Sequence, residues 1–307
     1  MNTLQGRVAD SVGNWVDRNA PSAVKPYLRL SRFDRPIGAW LLLLPCWWSA
    51  ALAAVAAGWP LPNVWHLMLF FVGAFVMRGA GCTWNDIADH DIDKRVERTR
   101  SRPIAAGQVT LSQALAYAIL QSLVGFLALV QFNGFAIATG IASLGIVALY
   151  PFMKRFTYWP QSVLGLAFSW GALMGWACAL GRLDLAPVLL YLGSIAWVIG
   201  YDTIYAHQDR ADDLFAGVMS TALLFGERTK PMLVLFYGLA VSLIGLAGLA
   251  AGAGFWFGVG LAAFAAHLGW QIATVDIADT ANCLMRFRSN RDAGLLLFAG
   301  LVLDAAL

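Results

Sequence analysis

The apolar residues of this 307-residue chain recur in blocks of roughly 17 to 22, the length an α-helix needs to cross about 30 Å of hydrocarbon at 1.5 Å per residue. A single soluble core cannot use that pattern. With 59% hydrophobic and 13% charged residues and thirteen tryptophans, the composition also lies outside that of soluble domains. Reading apolar windows between charged or Pro/Gly punctuation gives nine spans, at 37–57, 65–84, 112–130, 133–151, 162–181, 186–205, 231–251, 254–275 and 292–306. The last is short and carries Asp304 near its end. The expected fold is an all-α integral membrane protein, one polytopic domain over 1–307 with a polar N-terminal segment, 1–30.

Lysine and arginine fix its sidedness, because bilayer proteins keep the excess in cytoplasmic loops. With the N-terminus inside, nineteen of the twenty-one basic residues fall on the cytoplasmic side; only Arg182 lies outside, and Arg78 sits within a span. The net charge of +3 is therefore an orientation signal and gives no reason to expect nucleic acid. The first thirty residues lack an apolar core with a small-residue cleavage site, so the N-terminus is expected to stay attached and cytoplasmic. Asp10 and Asp17, and the lack of an Arg- and Ser-rich presequence, favour a bacterial inner membrane over a mitochondrial one.

Outward connections are short and nearly uncharged, whereas the inward ones after spans two and six run to about 25 residues and hold most of the acids. The first acidic cluster, Asn85-Asp86-Ile87-Ala88-Asp89-His90-Asp91-Ile92-Asp93, places Asn85, Asp89 and Asp93 at i, i+4 and i+8. The second runs from Asp202 to Asp213 and places Asp202, Asp209 and Asp213 at i, i+7 and i+11, so each set shares one helix face. Like charges so stacked cost a few tenths of a kcal/mol per pair, and a carboxylate in the bilayer about 2.5–3.5 kcal/mol. A cation is expected to compensate. Carboxylate and amide oxygens suit magnesium, which usually bridges protein carboxylates and substrate phosphates. Either cluster alone could be a solvated loop end. Two at matching helix ends, with identical Asp-x-x-x-Asp spacing and a 120-residue offset, point instead to a site and an internal pseudo-repeat.

Arg78 lies two turns deeper than Asn85 on the same face, where an arginine needs an anion or cavity water. Lys154 and Arg155 close span four, and Arg35 precedes span one; each could be an interface anchor or could bind phosphate oxygens. The four cysteines have no metal-ligand spacing, and the four histidines show none. Trp47, Trp48, Trp59, Trp65 and Trp159 near span ends suit interface belts. Gly171/Gly175 and Gly248/Gly252 read as helix-packing pairs, and no span shows a clear central break, although Pro45 lies in span one.

The chain resembles the UbiA family of intramembrane prenyltransferases nearly end to end. The resemblance rests on Asn85-Asp86-x-x-Asp89-x-x-x-Asp93 leading into Arg98-Thr99-x-x-Arg102-Pro103, and on Tyr201-Asp202-Thr203-x-Tyr205-Ala206-x-x-Asp209-x-x-Asp212-Asp213. Asp34-Arg35-Pro36-Ile37-Gly38, Tyr150-Pro151-Phe152-x-Lys154-Arg155 and Ser289-Asn290-Arg291 resemble the branch that acts on 4-hydroxybenzoate. It implies about nine spans around a central cavity capped by cytoplasmic loops, with polyprenyl diphosphate and 4-hydroxybenzoate as substrates and magnesium as cofactor. It further implies that Asn85, Asp89, Asp93, Asp209 and Asp213 carry the metal and that Arg35, Arg78, Lys154 and Arg155 neutralise diphosphate. Asp202, Tyr205 and Arg155 would complete the catalytic set. Gly217-Val218-Met219 departs from the family pattern, which favours lysine before Ser220-Thr221 and so expects one more phosphate contact. Two rivals stay open: a sister enzyme with a haem-type, naphthoate or homogentisate acceptor, and a cation-coupled transporter, whose acids would sit near the midplane on broken helices.

Overall fold

The computed structural model describes residues 13–94, 99–210 and 217–307, and among them every regular element is helical. Two short helices, α1 (Trp15–Asn19) and α2 (Lys25–Leu30), precede the bundle. The bundle comprises α3 (Ile37–Ala57), α4 (Val64–Ala88) with a one-turn extension α5 (His90–Asp93), α6 (Leu111–Leu129) and α7 (Gly134–Met153). It continues through α8 (Pro160–Ser169), α9 (Gly171–Leu180), α10 (Leu185–Ala206), the short α11 (Thr221–Phe225), α12 (Thr229–Ala251), α13 (Phe255–Thr274) and α14 (Thr280–Ala306). Eight of these segments are long and apolar enough to cross a bilayer, α8 and α9 together forming one. The first eight expected spans match them within a few residues.

The ninth differs. Instead of a short span at 292–306, α14 is a single helix of 27 residues, long enough to reach about 40 Å. Its first half is too polar to read as a span, but the polar groups satisfy one another. Asn290 accepts from the Trp197 indole at 2.8 Å, and its amide donates to Gln271 at 3.3 Å. Gln271 in turn accepts from the Tyr237 hydroxyl at 2.8 Å. All four are buried, so the amides tie α14 to α10, α12 and α13 by paired polar groups. Asp304, which made the span look doubtful, has its own role. Its carboxylate accepts from the backbone amides of Gly254, Trp256 and Phe257 at 2.7, 3.0 and 3.1 Å, capping the N-terminus of α13.

The centre of the bundle is α3 against α9, α10 and α14. Gly171 and Gly175 do serve helix packing, since a Cβ at either would fall 2.5 Å from Cys46 atoms of α3. Gly248 meets the Phe257 ring, but Gly252 has φ +76° and ends α12 as a left-handed cap, so that pair does not act as a packing stripe. Trp48 is fully buried with its ring 4.9 Å from Trp197 and belongs to the core; Trp59 and Trp65 are exposed, as an interface belt requires. The four cysteines are free and buried. Span five is divided at Trp170, between α8 and α9, contrary to the expectation of unbroken spans. Replacing Asp304 by Ala should cost about 1–2 kcal/mol. The thermal midpoint of the detergent-solubilised protein should fall, while Asp304→Asn, which keeps a carbonyl acceptor, should retain most of the stability.

Candidate active site

A cavity of ≈ 570 Å³ opens among α3, α4, α6, α7, α8 and α10. Its wall on α4 runs from Leu69 to Asn85, about 24 Å along the helix axis. The deep part is lined by apolar side chains such as Phe70, Leu129, Phe132, Leu144 and Met174; the mouth is lined by Arg35, Arg78, Asn85, Asp93, Lys154, Asp202 and Tyr205. α7 keeps only Ala136 and Pro151 buried. One face of α7, from Gly140 to Lys154, borders the cavity, and the remainder faces outward.

The first acidic cluster sits where α4 ends. Asp89 leaves helical geometry at φ −101°, ψ 3°, yet the amides of Asp89 and Asp93 still bond to the carbonyls four residues back, at 2.9 and 2.8 Å. The spacing expected from the sequence is thus kept through the bend, but the three side chains find different partners. The Asn85 amide donates to Asp89 at 3.0 Å. Asp89 is fully buried and ion-paired with Lys154 and, at 3.3 Å, Arg155. Asp93 pairs with Arg102 at 2.9 Å. Burial pushes the Asp93 carboxyl above its ordinary value, against the pull of Arg102. For Arg102, burial opposes the charge, but Asp86 and Asp93 outweigh it and raise its pKa.

Other expected residues converge here too. Arg155 also donates to the Ala88 carbonyl at 2.9 Å and lies 5.5 Å from the Phe152 ring centroid. It does not border the cavity, nor does Asp89, so Lys154 stands between Asp89 and the open space. Arg78 passes against Gly38, where a Cβ would be 2.6 Å from its Nε, and its guanidinium lies 5.1 Å from the Phe168 ring centroid. Its Nε is buried with no hydrogen-bond partner among the described residues. Tyr205 packs on Phe287 at 4.5 Å, one turn beyond Asp202. Asp209 closes the 3-10 turn His207–Asp209; its side chain, and Asp213 entirely, lie outside the described residues. His207 donates through Nε2 to Thr229 at 2.9 Å, since the Thr229 hydroxyl itself donates to Gly226; burial, then Arg210, lowers its pKa to about 4.

Sequence reasoning passed over Asp86, Arg32, Arg102 and Arg288, all of which border the cavity. Asp86 lies one residue off the i, i+4 face; Arg102 entered only as part of the family motif, and Arg32 and Arg288 only as sidedness signals. The break at Trp170 lies beside Ser169 and Gly171 with no ionisable group, so it does not supply the midplane cation site that a transporter would need.

The sequence profile of the UbiA prenyltransferase family matches residues 42–298. The chain belongs to the UbiA prenyltransferase family. Relatives named 4-hydroxybenzoate polyprenyltransferase, mitochondrial, include one from Dictyostelium discoideum, 49% identical over 92% of this chain, and one from Drosophila melanogaster, 50% identical over 93%. A third, from Rattus norvegicus, is 48% identical over 98%. The chain spans 61% of the first of these proteins and 73% and 80% of the others. Among solved structures, a UbiA homolog from Aeropyrum pernix K1 is similar at TM-score 0.70 and 27% identity, covering 86% of this chain and 97% of that one. A homolog from Archaeoglobus fulgidus bound to GPP and Mg2+ shares the fold at TM-score 0.64 and 18% identity, over 91% and 99%.

The expected bacterial inner membrane is overturned by these relatives, which are mitochondrial proteins of eukaryotes. Two acidic residues near the N-terminus carry little weight beside such identity across more than nine-tenths of the chain. At the cavity mouth, Arg102→Met should leave Asp86 and Asp93 buried with one fewer cation, at a cost of about 3 kcal/mol or more. Thermal unfolding in detergent should show the loss, and adding Asp93→Asn should recover part of it.

Proposed function

We propose that this chain transfers a polyprenyl group from polyprenyl diphosphate to the ring carbon ortho to the hydroxyl of 4-hydroxybenzoate, releasing diphosphate, in ubiquinone biosynthesis in a mitochondrial membrane. The observation that carries the reading is the cavity itself: an apolar channel of about 24 Å along α4 that ends in a mouth of cations, carboxylates and an amide. A long isoprenoid with a dianionic or trianionic head fits such a space, and few other metabolites combine those halves. The names of the relatives support the acceptor.

Asn85 and Asp89 offer hard oxygen donors one turn apart, a set that suits a magnesium ion once the Lys154 ammonium, now paired with Asp89, turns to the diphosphate. Asn85, Asp89 and Asp93, with Asp209 and Asp213 from the other cluster, are assigned to hold it. When bound, magnesium supplies Lewis-acid stabilisation of the charge that develops on departing diphosphate. The residues of the chain do the rest. Arg35, Arg78 and Lys154 bind diphosphate oxygens at the mouth, and Arg155 holds Asp89 from behind. Asp202 and Tyr205, on one wall of α10, orient the aromatic acceptor beneath the head group. The apolar depth excludes water, so the allylic carbon is attacked by the electron-rich ring carbon and not by water; loss of the ring proton restores aromaticity.

Membranes containing this chain, given 4-hydroxybenzoate and a prenyl diphosphate, should form prenylated hydroxybenzoate with magnesium and none with excess chelator. Prenol and diphosphate alone would mean a different acceptor, and no diphosphate release from folded protein would overturn the assignment. Asp89→Ala should lower transfer about 10²–10³-fold while leaving membrane insertion intact; full activity would rule out the metal assignment.

A further inference from the structure

Asp86 is 1% exposed and takes no part in the metal or substrate assignments above. Two arginines, one on each side of it in the sequence, converge on it. Arg32, between α2 and α3, donates from Nη2 to both carboxylate oxygens at 2.8 and 3.0 Å. Arg102, in the connection after α5, donates from Nη1 to Oδ1 at 3.0 Å. That same Nη1 reaches the Asp93 carboxylate at 2.9 and 3.2 Å. Arg32, Asp86, Arg102 and Asp93 therefore form a charge-balanced chain of ion pairs at the cavity mouth, in which Arg102 links the one acid assigned to the metal cluster to the one that is not.

The frame around the quartet is unusual in two respects. Arg32 has φ +60°, the one non-glycine residue with positive φ among the described residues, a conformation that persists only where surrounding contacts fix it. The connection that carries Arg102 is pinned at its far side by Ile104 and Val109, buried with Leu30 and Ala114. At its near side Thr99 donates to the Asp93 carbonyl at 3.2 Å. Between these two anchors Arg102 reaches the cavity and bonds to the carboxylates of Asp86 and Asp93.

We propose that Asp86 is a positioning residue: by holding Arg102 it fixes the Asp93 carboxylate and keeps the connection from Thr99 to Val109 closed over the mouth, without itself touching metal or substrate. The proposal rests on the prenyltransferase reading for its magnesium readout, but its closure half does not. Asp86→Asn keeps the size of the side chain and removes its charge, so Arg102 loses half of its anionic partnership and the closed position weakens.

Two measurements on the full-length protein in membranes test this. In limited trypsin digestion without magnesium, Asp86→Asn should be cut at the exposed Lys94 or Arg100 several-fold faster than the parent protein. In transfer assays it should need about tenfold more magnesium for half-maximal rate, with kcat at saturating magnesium within threefold of the parent. The double variant Arg32→Gln with Asp86→Asn removes one charge of each sign and so guards against misfolding of the single variant; it should show the same two shifts. Unchanged cleavage, an unchanged magnesium requirement, or a rate that no magnesium concentration restores would each overturn the proposal. If the parent protein shows no magnesium-dependent transfer, the functional reading fails, and the digestion alone still decides whether Asp86 closes the mouth.

Discussion

Three carboxylates buried within eight residues at the end of one helix cannot stand uncompensated, because each loses its water and repels the others. The rest of the mouth is arranged around that constraint. Arg32 comes from before the first long helix, Arg102 from the connection after α5, and Lys154 and Arg155 from the end of α7. Three separate stretches of chain are drawn to the end of α4 by charge, and the apolar helices behind them then have to pack so as to allow it. The cavity lies where those helices cannot also meet each other.

The same helices solve a second problem, that of carrying polar chemistry on a lipid-soluble scaffold. α3 and α10 are mostly buried and pack on glycines, tryptophans and a small amide network. α7 is almost wholly exposed outside its cavity face. The inner wall of the cavity is thus made by well-buried helices, and its outer wall by α6 and α7, the two least buried spans. Such a division suits a substrate whose head must be held still while its tail remains in the bilayer.

Much of this was legible in the sequence because the bilayer imposes length and sidedness so strongly. Eight spans and the nearness of Lys154 and Arg155 to the first acidic cluster follow from block length and charge position. What escaped did so for physical reasons. α14 looked like a short, doubtful span because Asn290 and Asp304 seem costly in hydrocarbon, and neither the indole of Trp197 nor the amides at the start of α13 can be seen from α14 alone. Trp48 looked like an interface residue because position along a span says nothing of which neighbours surround it. Asp86 was hidden by periodicity, which selects one face and discards the next residue. The membrane itself was misjudged from two charges where long-range similarity decides.

Gly38 is the smallest participant in the site and sets a condition on the largest. The Arg78 guanidinium lies 2.6 Å from where the first carbon of any side chain on residue 38 would be. The glycine of Asp34-Arg35-Pro36-Ile37-Gly38 and the arginine of α4 are therefore one steric unit divided between two helices. Any side chain at residue 38 would oblige the guanidinium to move, and the chain that enters the bilayer at α3 already carries, as a missing methyl group, the imprint of an arginine forty residues further on.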